Sequence, residues 1–182
     1  MMKLNFTVLT VFFFNMMSFL SYSQTSVSNK TINISLPIKA IVDLEPSTNV
    51  SLTFISPAEA GNPLTISSLN ATKWINYTSI VSSIGLNRKI TARISEIIPG
   101  INIRLSVANA TGSGGGVLGT STATNPVTLS QAEQIIITGI RGAYTGDGIN
   151  NGHQINLSAS VQNYADIVKT DKSISITYTI SE

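Results

Sequence analysis

The chain has 182 residues, no cysteine and one histidine, and its 11 lysines and arginines nearly balance its 9 aspartates and glutamates. These counts exclude a disulfide framework, a thiol nucleophile and a Cys/His zinc site. The charges are scattered rather than clustered, so there is no electrostatic footprint for nucleic acid or an anionic bilayer.

Residues 1–23 read as an address. Lys3 supplies a basic start, residues 4–20 an apolar run, and Ser21, Tyr22 and Ser23 a small-x-small cleavage site ahead of Gln24. The expectation is a cleaved signal peptide, with residues 24–182 forming a single domain that is secreted or held at the cell surface. No later stretch is apolar for long enough to span a membrane. Ser, Thr, Asn and the β-branched Ile and Val dominate the remainder, which suits strands and turns rather than helices.

After a loose start over 24–30, Ile32, Ile34, Leu36 and Ile38 alternate with polar residues. Pro37 cannot donate to a ladder, so 31–38 is predicted as an edge strand. A turn cluster follows over 43–49, then a strand carrying Val50, Leu52 and Phe54 and a short strand over 64–69. In 72–81, Trp74 and Asn76 share one face while Ile75 and Tyr77 share the other. Trp74 has two readings, a core residue between sheets and a platform for a sugar ring, of which the core is the more ordinary.

Residues 88–98 and 101–107 alternate around Pro99-Gly100 and are predicted to form a hairpin. Its outward face gathers Lys89, Arg93 and Arg104, which reads as a solvated face. The glycine-rich stretch 111–126 has no periodicity and reads as a flexible surface loop. Ser130 and Glu133 have capping-box spacing, predicting at most one helical turn before a buried strand through Ile140. Asp147-Gly148 and Asn151-Gly152 mark a long hairpin loop over 143–154. Alternation returns through Ile155, Leu157, Ala159 and Val161, and again through Ile174, Ile176, Tyr178 and Ile180. Tyr164, just after a strand, suits a corner tyrosine that bonds the backbone. The fold class is therefore all-β, an immunoglobulin-like or jelly-roll-like antiparallel β-sandwich of about eight strands.

Sites are sparse. Gly114, Gly116 and Gly119 spell G-x-G-x-x-G, but no helix follows to receive a pyrophosphate, so no dinucleotide cofactor is expected. Asp147, Asn150 and Asn151 offer oxygen ligands of the kind calcium prefers, with only one carboxylate among them. His153 lacks a partner ligand and reads as a polar loop residue. Trp74, Tyr77 and Tyr144 are the aromatic candidates for a glycan or other small ligand at the end loops. No convergent catalytic set is evident, and the expectation is a protein that is not an enzyme.

The short alternating segment near the mature N-terminus, with Ile32, Ile34, Leu36 and Ile38, and the C-terminal alternating strand carrying Tyr178 give the exported chain a particular layout. It resembles the subunits of chaperone–usher-type fimbriae and their spore-coat-like relatives. That resemblance implies an incomplete sandwich completed by a strand from a neighbouring subunit, with those four apolar residues as the donor row and other surface subunits as partners. The alternative is that 31–38 pairs within its own chain. The functional expectation is a structural, adhesin-like or pilin-like subunit; the alternative is a secreted glycan- or small-ligand-binding module.

Overall fold

Apolar residues at every second position put one face of a strand in the core, and this pattern organises the computed structural model, which describes residues 27–66, 71–122 and 125–182. The leader expected over 1–23 lies outside the described residues. The chain divides into two units, Met1–Ser35 and Leu36–Glu182. Within the first, residues 27–35 form no strand and are exposed.

Among its described residues the second unit contains eleven strands: β1 (Lys39–Glu45), β2 (Phe54–Ile55), β3 (Thr65–Ile66), β4 (Ala71–Ile80), β5 (Arg88–Ile94), β6 (Ile101–Thr111), β7 (Gly115–Ser121), β8 (Val127–Thr128), β9 (Gln134–Tyr144), β10 (Gly152–Val161) and β11 (Ile176–Ser181). β2 and β3 pair only with each other, and the other nine form one antiparallel network. The network folds into two layers, β1-β4-β10-β6-β8 and β11-β5-β9-β7, joined where Thr78 and Ser79 of β4 meet Tyr144 and Ala143 of β9. This is the expected all-β sandwich, with a bent corner along one side.

The corner explains the glycines. β6 pairs with β10 and β7 pairs with β9, so the chain bends from one layer to the other at 112–114 and again at 145–151. Backbone meets backbone there. A Cβ on Gly116 would lie 2.1 Å from the Gly142 carbonyl oxygen, and one on Gly152 would lie 2.2 Å from that of Ile75, and both glycines have positive φ. The glycine-rich stretch predicted as a flexible loop thus has β7 at its centre, and glycines such as Gly116 permit close approach rather than free motion.

Between the layers lie Ile75 and Tyr77 of β4, Ile90, Ala92 and Ile94 of β5, Ile103, Leu105 and Val107 of β6, Ile136, Ile137 and Ile140 of β9, and Ile155 and Leu157 of β10. Each fully buried isoleucine or leucine among them contributes about 1.5–3 kcal/mol relative to exposure.

Four further expectations are corrected. Strand pairing begins at Lys39 rather than in 31–38, because the seven residues Lys39–Glu45 take the edge of β4 and Pro37 brings no N–H to a ladder. The strands flanking Pro99-Gly100 are not a hairpin: β5 pairs with β9 and β11, β6 with β10 and β8, and the turn arches between layers. The 143–154 segment likewise links two layers rather than two paired strands. No helical turn forms at 130–133, where the Ser130 hydroxyl instead donates to the Ala132 carbonyl and accepts from the Gln134 side-chain amide. Among the described residues no helix is long and apolar enough to cross a membrane.

Candidate functional site

β1 and β11 end their layers on one side of the sandwich, as β8 and β7 do on the other, and among the described residues none of the four has a strand partner on its outer edge. The inward residues Val42 and Leu44 of β1 and Ile176, Tyr178 and Ile180 of β11 reach the core but stay only partly buried. β11 reads ITYTIS, with no charge or proline to discourage another strand. β1 carries Lys39, Asp43 and Glu45 along its length.

Immediately before β1, the four residues of the expected donor row are displayed to solvent: Ile32 is 76% exposed, Ile34 82%, Leu36 80% and Ile38 63%. Eight residues in extended form reach about 26 Å, against about 20 Å for the six of β11. Among the described residues, an alternating segment and a strand edge, both without a strand partner, thus occur in one molecule.

The aromatic candidates are not brought together. Ile75 and Tyr77 face the core as expected, but Trp74 lies on the outer face of its sheet, half-buried between Glu45 of β1 and Gln154 of β10. The core reading of Trp74 therefore gives way to its neighbours, which occupy the inward positions. Tyr77 is buried, so it cannot share a platform with Trp74. Tyr144 is 56% exposed. It borders an open cleft of about 410 Å³ lined by Thr78–Val81, Gly115, Gly116 and Gly142–Tyr144.

In the loop proposed for calcium, Asp147 and Asn150 are exposed. Asn151 is committed: its Oδ1 accepts from the Ser113 amide (2.9 Å) and hydroxyl (3.1 Å), and its Nδ2 donates to the Asp147 carbonyl (2.7 Å). Its backbone carbonyl accepts from Asn76 Nδ2 at 2.7 Å. These bonds tie the 145–151 loop to the 112–114 bend. Among the described residues no group of three or more His, Cys, Asp or Glu side chains is placed to hold a metal ion. The basic trio is also dispersed, with Lys89 and Arg93 on β5 and Arg104 on β6 in the other layer.

Three polar residues, His153, Lys73 and Arg88, lie deep in the fold. His153, predicted as a loop residue, is fully buried on β10 and stacks on Tyr77 with ring centroids 5.9 Å apart. Its Nδ1 lies 2.9 Å from the Ala108 carbonyl oxygen, and its Nε2 lies 3.2 Å from that of Leu118 and 3.3 Å from the Tyr77 hydroxyl. Burial lowers its pKa from the ordinary histidine value, against the opposing pull of the two carbonyls. Lys73 is 3% exposed, with its ammonium bonded to the carbonyls of Pro46 and Thr48 and to the Thr48 hydroxyl. Buried Arg88 donates to the Lys39 carbonyl and the Ser79 hydroxyl and lies 3.6 Å from the Glu182 carboxylate. The Tyr164 hydroxyl accepts from the Leu64 amide at 3.3 Å, a bond to a segment distant in sequence rather than the local one of a corner tyrosine, and its ring stays half exposed.

Comparison with known proteins found no matching family model, no significantly similar curated protein and no significantly similar solved structure.

Proposed function

We propose that this chain is an exported, non-enzymatic structural subunit that acts by assembly or attachment at the cell surface, the segment 31–38 of one copy adding as a strand to the open edge of the next. The observation that carries this reading is the exposure of Ile32, Ile34, Leu36 and Ile38 in a segment with no strand partner among the described residues. Four apolar side chains in a strict two-residue period have little reason to stay in water, and strand addition would bury them while satisfying the backbone of both partners. Pro37 fits if its position faces away from the ladder. The resemblance of the sequence layout to fimbrial subunits supports the same reading.

Light scattering after size exclusion, on the chain 24–182 over a wide concentration range, tests it. Oligomers that vanish when 24–38 is deleted, or when Ile32 and Ile34 are both changed to Asp, are the expected result. A monomer at every concentration overturns the reading.

A second reading, a glycan-binding module, draws support from the cleft beside Tyr144. No charged side chain lines it, and the Tyr144 ring is more than half exposed beside Gly115. A neutral pyranose could stack there. A glycan-array screen decides, because unchanged binding by Tyr144→Ala removes this site.

A further inference from the structure

The strongest unassigned feature is the polar cluster inside the bent corner. His153 comes from β10 and Tyr77 from β4, while the two carbonyls they reach belong to Ala108 of β6 and Leu118 of β7. The cluster therefore joins both layers where the sheet bends.

Its hydrogens do not suffice in the neutral state. The short Nδ1 contact to Ala108 assigns the ring proton to Nδ1, which leaves Nε2 as an acceptor. The Tyr77 hydroxyl has one proton and gives it to the Leu118 carbonyl. Three acceptors, namely the two carbonyls and Nε2, then share two hydrogens. A second ring proton would fill the gap by donating to Leu118, but it would also place a full charge in the core. Charged or titratable neighbours offer no relief. Among the described residues Tyr77 is the only titratable group in contact, Lys73 of β4 is held at Pro46 and Thr48, and Arg104 of β6, Arg141 of β9 and Asp147 of the adjoining loop are exposed; β7 carries no charged residue. A buried imidazolium with two neutral carbonyls and no counterion is less stable than the neutral ring.

We propose that His153 is a proton-operated clasp: its neutral ring holds the corner closed, and proton uptake in mildly acidic medium loosens the joint between β6–β7 and β9–β10. The sign follows from linkage. The folded-state pKa lies below the unfolded value, so the contribution to stability is complete above about pH 6.5 and is lost as pH falls from there through the folded-state pKa, below which it is flat. This inference stands apart from the assembly reading.

Because the chain has one histidine, its ring resonance can be followed by NMR without ambiguity. The expected result is titration below that of a free histidine, together with denaturant stability that falls between pH 7.5 and 5.5. Over the titrating range the folding equilibrium constant should change by up to about tenfold per pH unit. His153→Gln should flatten that slope. If this variant does not fold, Tyr77→Phe serves instead, since it keeps the histidine between its carbonyls and should keep the slope. Hydrogen exchange, corrected for intrinsic pH dependence, should rise with acid at amides of 112–118 and 145–153 before those of β5 and β11. A ring that titrates at the ordinary histidine value, equal slopes in wild type and His153→Gln, loss of the slope in Tyr77→Phe, or an even rise in exchange over both layers overturns the proposal.

Discussion

The two sides of this sandwich are built differently. At the corner, strands pass from one layer to the other, inward residues such as Ile75, Ile140 and Ile155 are fully buried, and Asn151 and His153 stitch the bends together. At the opposite side, β1 and β11 end their layers, their inward residues are only partly covered, and the Tyr178 hydroxyl is buried without a partner among the described residues. The same two-residue alternation runs through both regions. What differs is how the strands are flanked: among the described residues β1 pairs only with β4 and β11 only with β5, whereas β4 and β9 are paired along both edges.

The largest effects should fall on the closed side. Ile137→Ala removes a fully buried side chain and is expected to lower stability by about 2–5 kcal/mol, because the packed surroundings cannot collapse into the space. Ile180→Ala, at the open edge, should lose less than about half of that, since solvent already reaches its site. Urea unfolding of both variants makes the comparison directly, and equal losses would mean that the β11 edge is as closed as the corner. Gly152→Ala comes next. Its Cβ would lie 2.2 Å from the Ile75 carbonyl oxygen at a φ of +77°; the left-handed backbone alone costs about 1–2 kcal/mol, and the clash adds to it.

Much of this architecture is legible in the sequence. Alternation is a local property, so the residues that fill the core from β4, β5, β6, β10 and β11 can be read directly. Which layer a strand joins is not local. Pro99-Gly100 suits a hairpin turn and an interlayer arch equally well, and only the competing partners β9, β10 and β11 decide between them. The glycines of β7 misled for a related reason: glycine gives a flexible loop and a close backbone contact the same composition, and the carbonyls it approaches lie on a distant segment. His153 was hidden by its position beside Gly152 in a turn-rich stretch. The alternation of Ile155 and Leu157 extends back to residue 153 and would have placed it inward. For 31–38 the alternation is sound, but the β4 edge is taken by Lys39–Glu45, which the turn cluster over 43–49 obscured.

Lys73 sharpens the comparison at one end of the core. Its stem occupies an inward position on β4 while its ammonium gathers the chain that leaves β1, through Pro46 and Thr48. Lys73→Met keeps most of the stem but leaves those carbonyls without a donor, and a loss of about 1–3 kcal/mol is expected. Faster exchange of amides in 46–50, with the corner amides unchanged, would locate the damage at the end of β1. Uniform loosening would mean that the lysine supports the whole core.

Tyr178→Phe should have the smallest effect on the isolated chain and says most about the open side. Its hydroxyl has no acceptor or donor within reach among the described residues, and burial raises its pKa by disfavouring the phenolate. Removing a polar atom that already lacks a bond recovers its desolvation penalty, so the monomer should be unchanged or more stable by up to about 1 kcal/mol. If β11 receives a strand from another copy, the hydroxyl has a partner to gain in the complex, and the same substitution should weaken association while leaving monomer stability intact. Denaturation at high dilution and light scattering at high concentration separate the two effects. A variant that associates as well as the wild type would mean that the hydroxyl finds no partner in the assembly, whereas a variant less stable as a monomer would mean that its partner already lies within the fold.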